Sequence, residues 1–462
     1  MVYSSRGDFV ITFQDFESAT GSLAAFVFDA IETHKASREY QLATVADLYD
    51  RQLNKTINEY VHTMFTLAGA KVEDFTASNS KIASNFFHRL NVQRCAYSLG
   101  NGITLANDRD GKVKEALGEK FDTKLFNIGY YALIHGVCFG FWNMDRLYAF
   151  PLTEFVPIWD EYDGTLKAGI RFWQIAKDKP IVAVLYEMDG YTKFQKTEKD
   201  ALEVQGKTAY KITVASNPVG DVSVIGEENY SALPIVPMWG SRLHQSTLVG
   251  MQQAIDSFDL IRSGFANDLT DCAEIYWLIE NSGGMTDEDL ARFRDRLKIN
   301  HIAEADTGDG TSITPYTQDI PYAARQAYLN DIRAGIYEDF GGLDVHQVSA
   351  DSTNDHLEAA YQPMDEEADD FEYQVIEFVQ QILTVAGFDV DTPTFKRNRI
   401  SNTKEQVEIV MQEANYLDDE TILNKLPNIT PDEVAEILQR RDMEDASRMS
   451  SFVRDENGNL NA

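Results

Sequence analysis

The chain has 462 residues, 44% of them hydrophobic, and 74 acidic against 41 basic side chains, a formal net charge of -33. That length is too great for one compact core and provides for roughly two to four domains. The charge excludes tight wrapping of nucleic acid, because a polyanion is repelled by an acidic surface, but it suits a passage along which a polyanion must slide without sticking.

Cys95, Cys138 and Cys272 are far apart and odd in number, which argues against a disulfide frame or a zinc site and for core thiols in a reducing compartment. No basic and then apolar leader opens the sequence, and no run of about 18 apolar residues occurs. The expectation is a soluble chain made in the cytoplasm.

In chain order, residues 18–135 read mainly as helix, with apolar steps of three and four in SLAAFVFDAIETH and in SKIASNFFHRLNVQRCAYSLGNGITL, the second closed by Gly100 and Gly102. From about 136 to 236 come short runs rich in valine, isoleucine and aromatics: FGFWNM, RLYAFPL, FVPIWD, AGIRFWQIA and IVAVLYEM. Asp-Gly pairs at 163–164 and 189–190 separate some of them, so the block reads as antiparallel hairpins. LPIVPMW at 233–239, with two prolines, reads as a stiff extended connection that ends the strand block.

LVGMQQAIDSFDLIRSGFANDLTDC then places Leu248, Met251, Ile255, Phe258, Ile261, Phe265 and Leu269 on one face of a helix of about six turns. A small inserted module follows, with strands in AEIYWLIE, HIAEAD and TSITPYT and a helix in TDEDLARFRDRLK capped at Thr286. PYAARQAYLNDIRAGIYEDFGG returns to helix with Leu329, Ile332, Ile336 and Phe340 in line, Pro321 at its start and Gly341-Gly342 at its end.

In TNDHLEAAYQPMDEEADDFEYQVIEFVQQIL, residues 353–383, the side chains Leu357, Tyr361, Met364, Ala368, Phe371, Val375, Phe378 and Ile382 form one continuous helical stripe. Pro363 lies inside it and predicts a kink, because it removes a backbone donor and crowds the preceding turn. From about 400 the sequence holds two or three acidic helices and a polar tail.

Phosphate-binding signatures are absent: there is no GxxxxGK[ST] and no GxGxxG between strand and helix, so ATP hydrolysis is not expected. Nor is there an HExxH, an EF-hand spacing or a GxSxG elbow. Carboxylates and two histidines do gather in DVHQVSADSTNDH, and a metal-dependent nuclease or hydrolase would draw its ligands from Asp344, His346, Asp355 and His356. Consecutive acids on a helix diverge, so DEEADD at 365–370 reads as a solvated acidic face. His135, within apolar YYALIHGVCFG, reads as a hydrogen-bonded core histidine. Arg292, Arg294, Arg296 and Lys298 alternate with acids and fit a salt-bridged surface that could serve for docking.

Several phrases in a fixed order resemble the portal proteins of long-tailed double-stranded DNA bacteriophages. They are SKIASNFFHRLNVQRCAYSLGNGITL; LPIVPMW leading into a helix with Ala254 to Phe258 and Asn267-Asp268; DIPYAARQAYLNDIRAGIYEDFGGLDV; and DDETILNKLP at 418–427. The resemblance implies an α+β, mainly helical fold assembled as a ring of about twelve copies. It implies an N-terminal wing at 1–240 made of a helical opening and a β-rich block, a first stem helix at 241–270 and a small α/β clip at 271–315. A second stem helix at 316–342, a tunnel loop at 343–354, a kinked wing helix with its return at 355–399, and a crown with a tail at 400–462 would complete it.

On that resemblance Asp344, His346, Gln347, Val348 and Ser349 would face DNA, although the loop holds no lysine or arginine to grip phosphate; Pro363 would mark the bend, and Arg292, Arg294, Arg296 and Lys298 a clip docking surface. The implied partners are further copies of the chain, the terminase large subunit, a head–tail connector, the major capsid and scaffolding proteins, and double-stranded DNA passing without sequence specificity. No membrane, cofactor, metal or catalysis is implied. The implied place is one vertex of the virion capsid, reached through the host cytoplasm. The hydrolase reading, and that of a non-viral ring-shaped adaptor, stay open beside it.

Overall fold

The computed structural model describes residues 11–19, 21–65, 69–74, 78–108, 111–144, 146–197, 201–216, 222–271, 276–280, 286, 288, 291–292, 312–316, 321–345, 354–399, 403–414, 416–426, 434, 437–441 and 443. The first helices start where a side chain can accept their free amides. Thr12 and Asp15 form a capping box at α1 (Phe13–Ser18), the Ser22 hydroxyl accepts from the Ala25 amide at α2 (Leu23–Ala36), and the Ser37 hydroxyl accepts from the Tyr40 amide at α3 (Arg38–Asp50). Then come α4 (Lys55–Glu59), an exposed hairpin of β1 (Thr63–Phe65) and β2 (Lys71–Glu73), α5 (Phe86–Leu99), β3 (Ile103–Leu105), α6 (Lys112–Ala116) and α7 (Phe121–His135). The helical opening is therefore present. Its ITL phrase leaves the helix as β3, because Gly102 adopts φ +72° and turns the chain.

The hairpin block is also present. β4 (Val137–Asn143) pairs with β5 (Arg146–Pro151); β6 (Phe155–Trp159), β7 (Leu166–Trp173), β8 (Ile181–Glu187), β9 (Gly190–Lys196) and β10 (Ala201–Thr208) form a five-stranded antiparallel meander; β11 (Lys211–Ser216) and β12 (Val222–Glu228) form a separate hairpin. One expectation is corrected here. LPIVPMW is not a free connection: it contains β13 (Ile235–Trp239), paired with β4 from Ile235 opposite Phe141 to Trp239 opposite Val137. Pro237 is tolerated because β13 is an edge strand, as is Pro157 in edge strand β6.

The second half is built from long helices. α8 (Leu248–Asp271) is followed by a β14 (Tyr276–Glu280) and β15 (Ser312–Tyr316) pair and by α9 (Tyr322–Phe340), which runs back along α8. The antiparallel sense follows from the side chains that meet: the Phe265 and Tyr322 rings lie tilted against each other with centres 5.7 Å apart, and the hydroxyls of Ser257 and Tyr328 are 3.2 Å apart. α10 (Asn354–Ala386), β16 (Pro393–Phe395), α11 (Thr403–Glu413) and α12 (Asp419–Lys425) complete the described elements. HIAEAD and most of TDEDLARFRDRLK lie outside the described residues.

Every residue of the stripe on α10, from Leu357 to Ile382, is buried. Each of the large side chains in it contributes about 1.5–3 kcal/mol by leaving water, and Ala368 less. Glycines on the opposing elements let the helix in: a Cβ at Gly129 of α7 would stand 2.9 Å from Phe371, and one at Gly140 of β4 would collide with the Phe378 ring. A second core forms where Val27, Phe28 and Ile31 of α2 cover Ile158, Ile170, Leu185 and Phe194 of the meander. A third joins α3, α5, α8 and α9. His135 is the expected core histidine, 4% exposed with Nε2 2.8 Å from Asp47, and Cys95 and Cys138 are buried thiols; Cys272 lies outside the described residues.

Candidate functional site

The third core gives the chain a hub, and α9 leaves it at a loop root held from two sides. Gly341 ends α9 at φ +65°, with its amide bonded to the carbonyls of Glu338 and Tyr337. A side chain there would be strained, and its Cβ would stand 2.9 Å from Glu367 and 3.1 Å from the Pro363 carbonyl of α10. Gln93 of α5 reads the next peptide twice: its Nε2 donates to the Leu343 carbonyl at 3.0 Å, and its Oε1 accepts from the Leu343 amide at 3.1 Å. Arg94, one position on, donates to the Phe340 carbonyl and meets Glu367 at 3.1 Å. Burial pulls the Arg94 guanidinium below its ordinary value, and Glu367 opposes that shift.

Asp344 is held as well, its Oδ1 accepting from Arg333 of α9 at 2.9 Å. The segment from Phe340 to Asp344 is thus fixed to three helices. His346, Gln347, Val348 and Ser349 lie outside the described residues. So do Arg294, Arg296 and Lys298, while Arg292 is exposed on a helical residue. His356 is exposed at the start of α10, and the side chain of Asp355 is outside the described set. Among the described residues no three histidine, cysteine or carboxylate side chains are placed to share a metal ion.

Pro363 sits inside an α10 that continues through it. It has no amide to offer the Ala359 carbonyl, and its own carbonyl faces Gly341. The proline is therefore brought to the loop root, which its place in the sequence did not reveal.

The acidic face expected at 365–370 is present, with Glu366, Glu367 and Asp369 exposed, but Asp365 and Asp369 are also engaged. Arg397, just beyond β16, donates to Asp365 at 2.8 Å, to Glu372 at 2.9 Å and to Asp369, and Arg399 holds Asp365 at 2.5 Å. Tyr97 of α5 donates to the same Asp365 at 2.6 Å and stacks on Tyr361 at 5.8 Å between ring centres. Burial alone would raise the Asp365 carboxyl, but the Tyr97, Arg399 and Arg397 hydrogen bonds outweigh it and hold it below its usual range. Hydrogen bonds from Arg397 to Glu372 and Asp369 likewise hold its proton more firmly than usual. These acids are a clamp on the return strand. The one sequence cue was period two: Arg397 and Arg399 leave the same side of an extended segment.

A further set of residues had no cue in the sequence. The extended segment 80–84 lies along α8, where Asn267 accepts from the Ser80 amide at 2.6 Å, Ser263 from Ile82 at 3.0 Å and Asp259 from Ser84 at 2.9 Å. Every fourth helix residue meets every second amide, because four helical rises of about 1.5 Å nearly match two strand rises of about 3.3 Å.

The sequence model of the family described as "Phage portal protein, SPP1 Gp6-like" matches residues 29–447. The chain belongs to that phage portal protein family. Two curated relatives agree: the portal protein of Clostridium phage phiCD119 is 23% identical over 412 residues, covering 83% of this chain and 88% of its own length. The portal protein of Bacillus phage SPP1 is 22% identical over 435 residues, covering 86% of this chain and 83% of its own. A looser likeness links 75% of this portal protein to chains in two neck structures of GTA particles. One is of a native particle computed with C12 symmetry, at 10% identity over 90% of that chain with a TM-score of 0.40; the other is of an empty particle computed with C6 symmetry, at 13% over 91% with 0.41. The chain is a structural component of a bacteriophage virion of α+β architecture, and no helix among its described residues is long and apolar enough to cross a membrane.

Proposed function

We propose that this portal protein assembles as a closed ring of about twelve copies at one capsid vertex and forms the channel through which double-stranded DNA is packaged and ejected. In this reading α8 and α9 are the stem, residues 271–315 the clip, 343–354 the tunnel loop, residues 1–240 with α10 the wing, and the chain beyond 400 the crown. The clip docks the terminase large subunit during packaging and, later, the head–tail connector. Capsid and scaffolding proteins contact the wing. No catalysis is assigned to the chain.

The observation that carries the reading is the anchored loop root. Gln93, Arg94, Glu367 and Arg333 fix the peptide from Phe340 to Asp344, which supports reading 343–354 as a loop rooted on a rigid hub. That loop has no lysine or arginine, and the chain carries a charge of -33, so DNA is admitted without being gripped. The hydrolase reading finds no matching support, since the Asp344 carboxylate is engaged by Arg333. Native mass measurement with negative-stain averages tests the proposal. A closed ring of about a dozen subunits with a central hole is expected, and a monomer that persists across salt and concentration would overturn it.

A further inference from the structure

This inference rests on the ring reading and names a surface that would close the ring. Beside the loop root, α5, α8 and α9 leave a recess of about 590 Å3 whose lining includes Ser84, Asn85, Arg89, Arg262 and Arg333 and no carboxylate. In a chain with 74 acids against 41 bases, that is a local inversion of charge. Arg94, Arg325, Arg333, Arg397 and Arg399 each hold a carboxylate, Arg333 holding Asp344 at the edge of the recess, whereas Arg89 and Arg262 make no ion pair among the described residues.

A further group of donors points the same way. α5, 14 residues long, begins at this recess with no side chain capping its free amides. Unpaired guanidinium groups and uncapped amides both call for an anionic acceptor.

α9 carries such acceptors on another face. Gln326, Asn330, Arg333 and Tyr337 line the recess at steps of four, three and four, while Asp331 and Glu338, two turns apart, are exposed and make no ion pair among the described residues. One face of the helix is amide-rich and completes a recess holding the unpaired Arg89 and Arg262 of α5 and α8, and the other is acidic, so the surfaces complement each other between copies but not each with itself. That is the requirement of a head-to-tail contact, which closes into a ring when the rotation permits. We propose that the recess receives the carboxylates of Asp331 and Glu338 from a second copy of the chain, which cap α5 and pair with Arg89 and Arg262.

The test is a charge swap in the full-length chain, read by analytical ultracentrifugation with thermal melts at low concentration as the folding control. Arg89→Glu with Arg262→Glu, and Asp331→Lys with Glu338→Lys, should each raise the concentration needed for half-assembly on the order of a hundredfold, while the fourfold swap should recover most of it. If the double reversals do not fold, Arg262→Gln and Glu338→Gln replace them. Each alone should weaken assembly about tenfold, and the two together no more than either alone. Unchanged assembly in the recess variants, or a swap no better than its parents, overturns the proposal. Rings that form normally but release packaged DNA would assign the recess to phosphate, which also overturns it. A wild-type chain that never forms rings defeats the ring reading itself, an outcome distinct from these.

Discussion

α10 and the α8–α9 pair carry the same kind of apolar stripe, and the chain treats them differently. On α10 every stripe residue is enclosed by α5, α7, β4 and β13 of its own chain. On α8 the stripe begins the same way, with Leu248 and Ile255 fully buried, but it ends with Leu269 55% exposed, and Tyr322 of α9, which meets Phe265 one turn earlier, is 60% exposed. The β1–β2 hairpin roots at the same end, where His62 stands 3.4 Å from Asn267, and it shows Phe65 at 74% exposure. Periodicity states that a face is to be covered; it does not state by which molecule. The finished stripe is completed by the fold of one chain, and the unfinished one leaves apolar surface open at the end of α8.

The largest effect belongs to the finished stripe. Phe378→Ala removes a ring that lies against Gly140 in the main core, and the loss should be about 3–5 kcal/mol, seen as a large fall in the denaturation midpoint of the isolated chain. A loss below about 1 kcal/mol would mean that α10 is not the keystone described. Acid should then separate two regions. Burial lowers the pKa of His34, between α2 and the strands, to about 4, even though the Leu152 carbonyl accepts its hydrogen bond. Below the ordinary value of 6.5 the unfolded chain takes up that proton first, so stability falls between pH 6.5 and about 4, by on the order of 3 kcal/mol in all.

Asp365, held below 3.8, works in the next window: its stabilisation is complete above 3.8 and is lost as pH falls through its lower folded value. His34→Gln should therefore flatten a denaturation profile above about pH 4, and Asp365→Asn only below it. The same slope in both variants would refute the assignment.

Pro363→Ala should matter less to the isolated chain. It returns an amide to the Ala359 carbonyl, but Ala359 is exposed and lines an open depression with Glu358, Gln362 and Asp365. It also frees the unfolded backbone, so the two effects nearly cancel and the melt should move by less than about 1 kcal/mol. An effect on ring shape or on DNA retention, judged by particle averages and packaging yield, is the expected larger consequence.

Much of this was readable before the structure. The stripe from Leu357 to Ile382, the α9 limits at Pro321 and Gly341, and the turn at Asp189-Gly190 rest on local period and backbone preference, which one segment carries by itself. Pro237 misled because a proline denies only one hydrogen-bonding edge of a strand, and the sequence does not say that β13 is an edge. The engagement of Asp365 and Asp369 stayed hidden for a related reason: their partners, Tyr97, Arg397 and Arg399, are distant along the chain. The loop root is the clearest case. Gln93 and Arg94 lie within an ordinary helix, and nothing nearby in sequence announces that they bind the peptide around Leu343.

The smallest effect on the isolated chain is the most informative for the comparison. Leu269 fits the α8 stripe as well as Leu248 does, so a reading from sequence would give both the cost of a core truncation. The structure separates them, because Leu248 is fully enclosed and Leu269 more than half exposed. Leu269→Ser should therefore change the melt of the dilute chain by no more than about 0.5 kcal/mol, as an exposed substitution does. If the end of α8 is covered by a neighbouring copy, the same change should still raise the concentration needed for assembly, because it then removes apolar surface from an interface and not from a core. A monomer destabilised as strongly as by Phe378→Ala would place Leu269 in the core after all. An assembly curve unmoved by the substitution would mean that this end of the helix pair stays in water, and the unfinished stripe would need a different explanation.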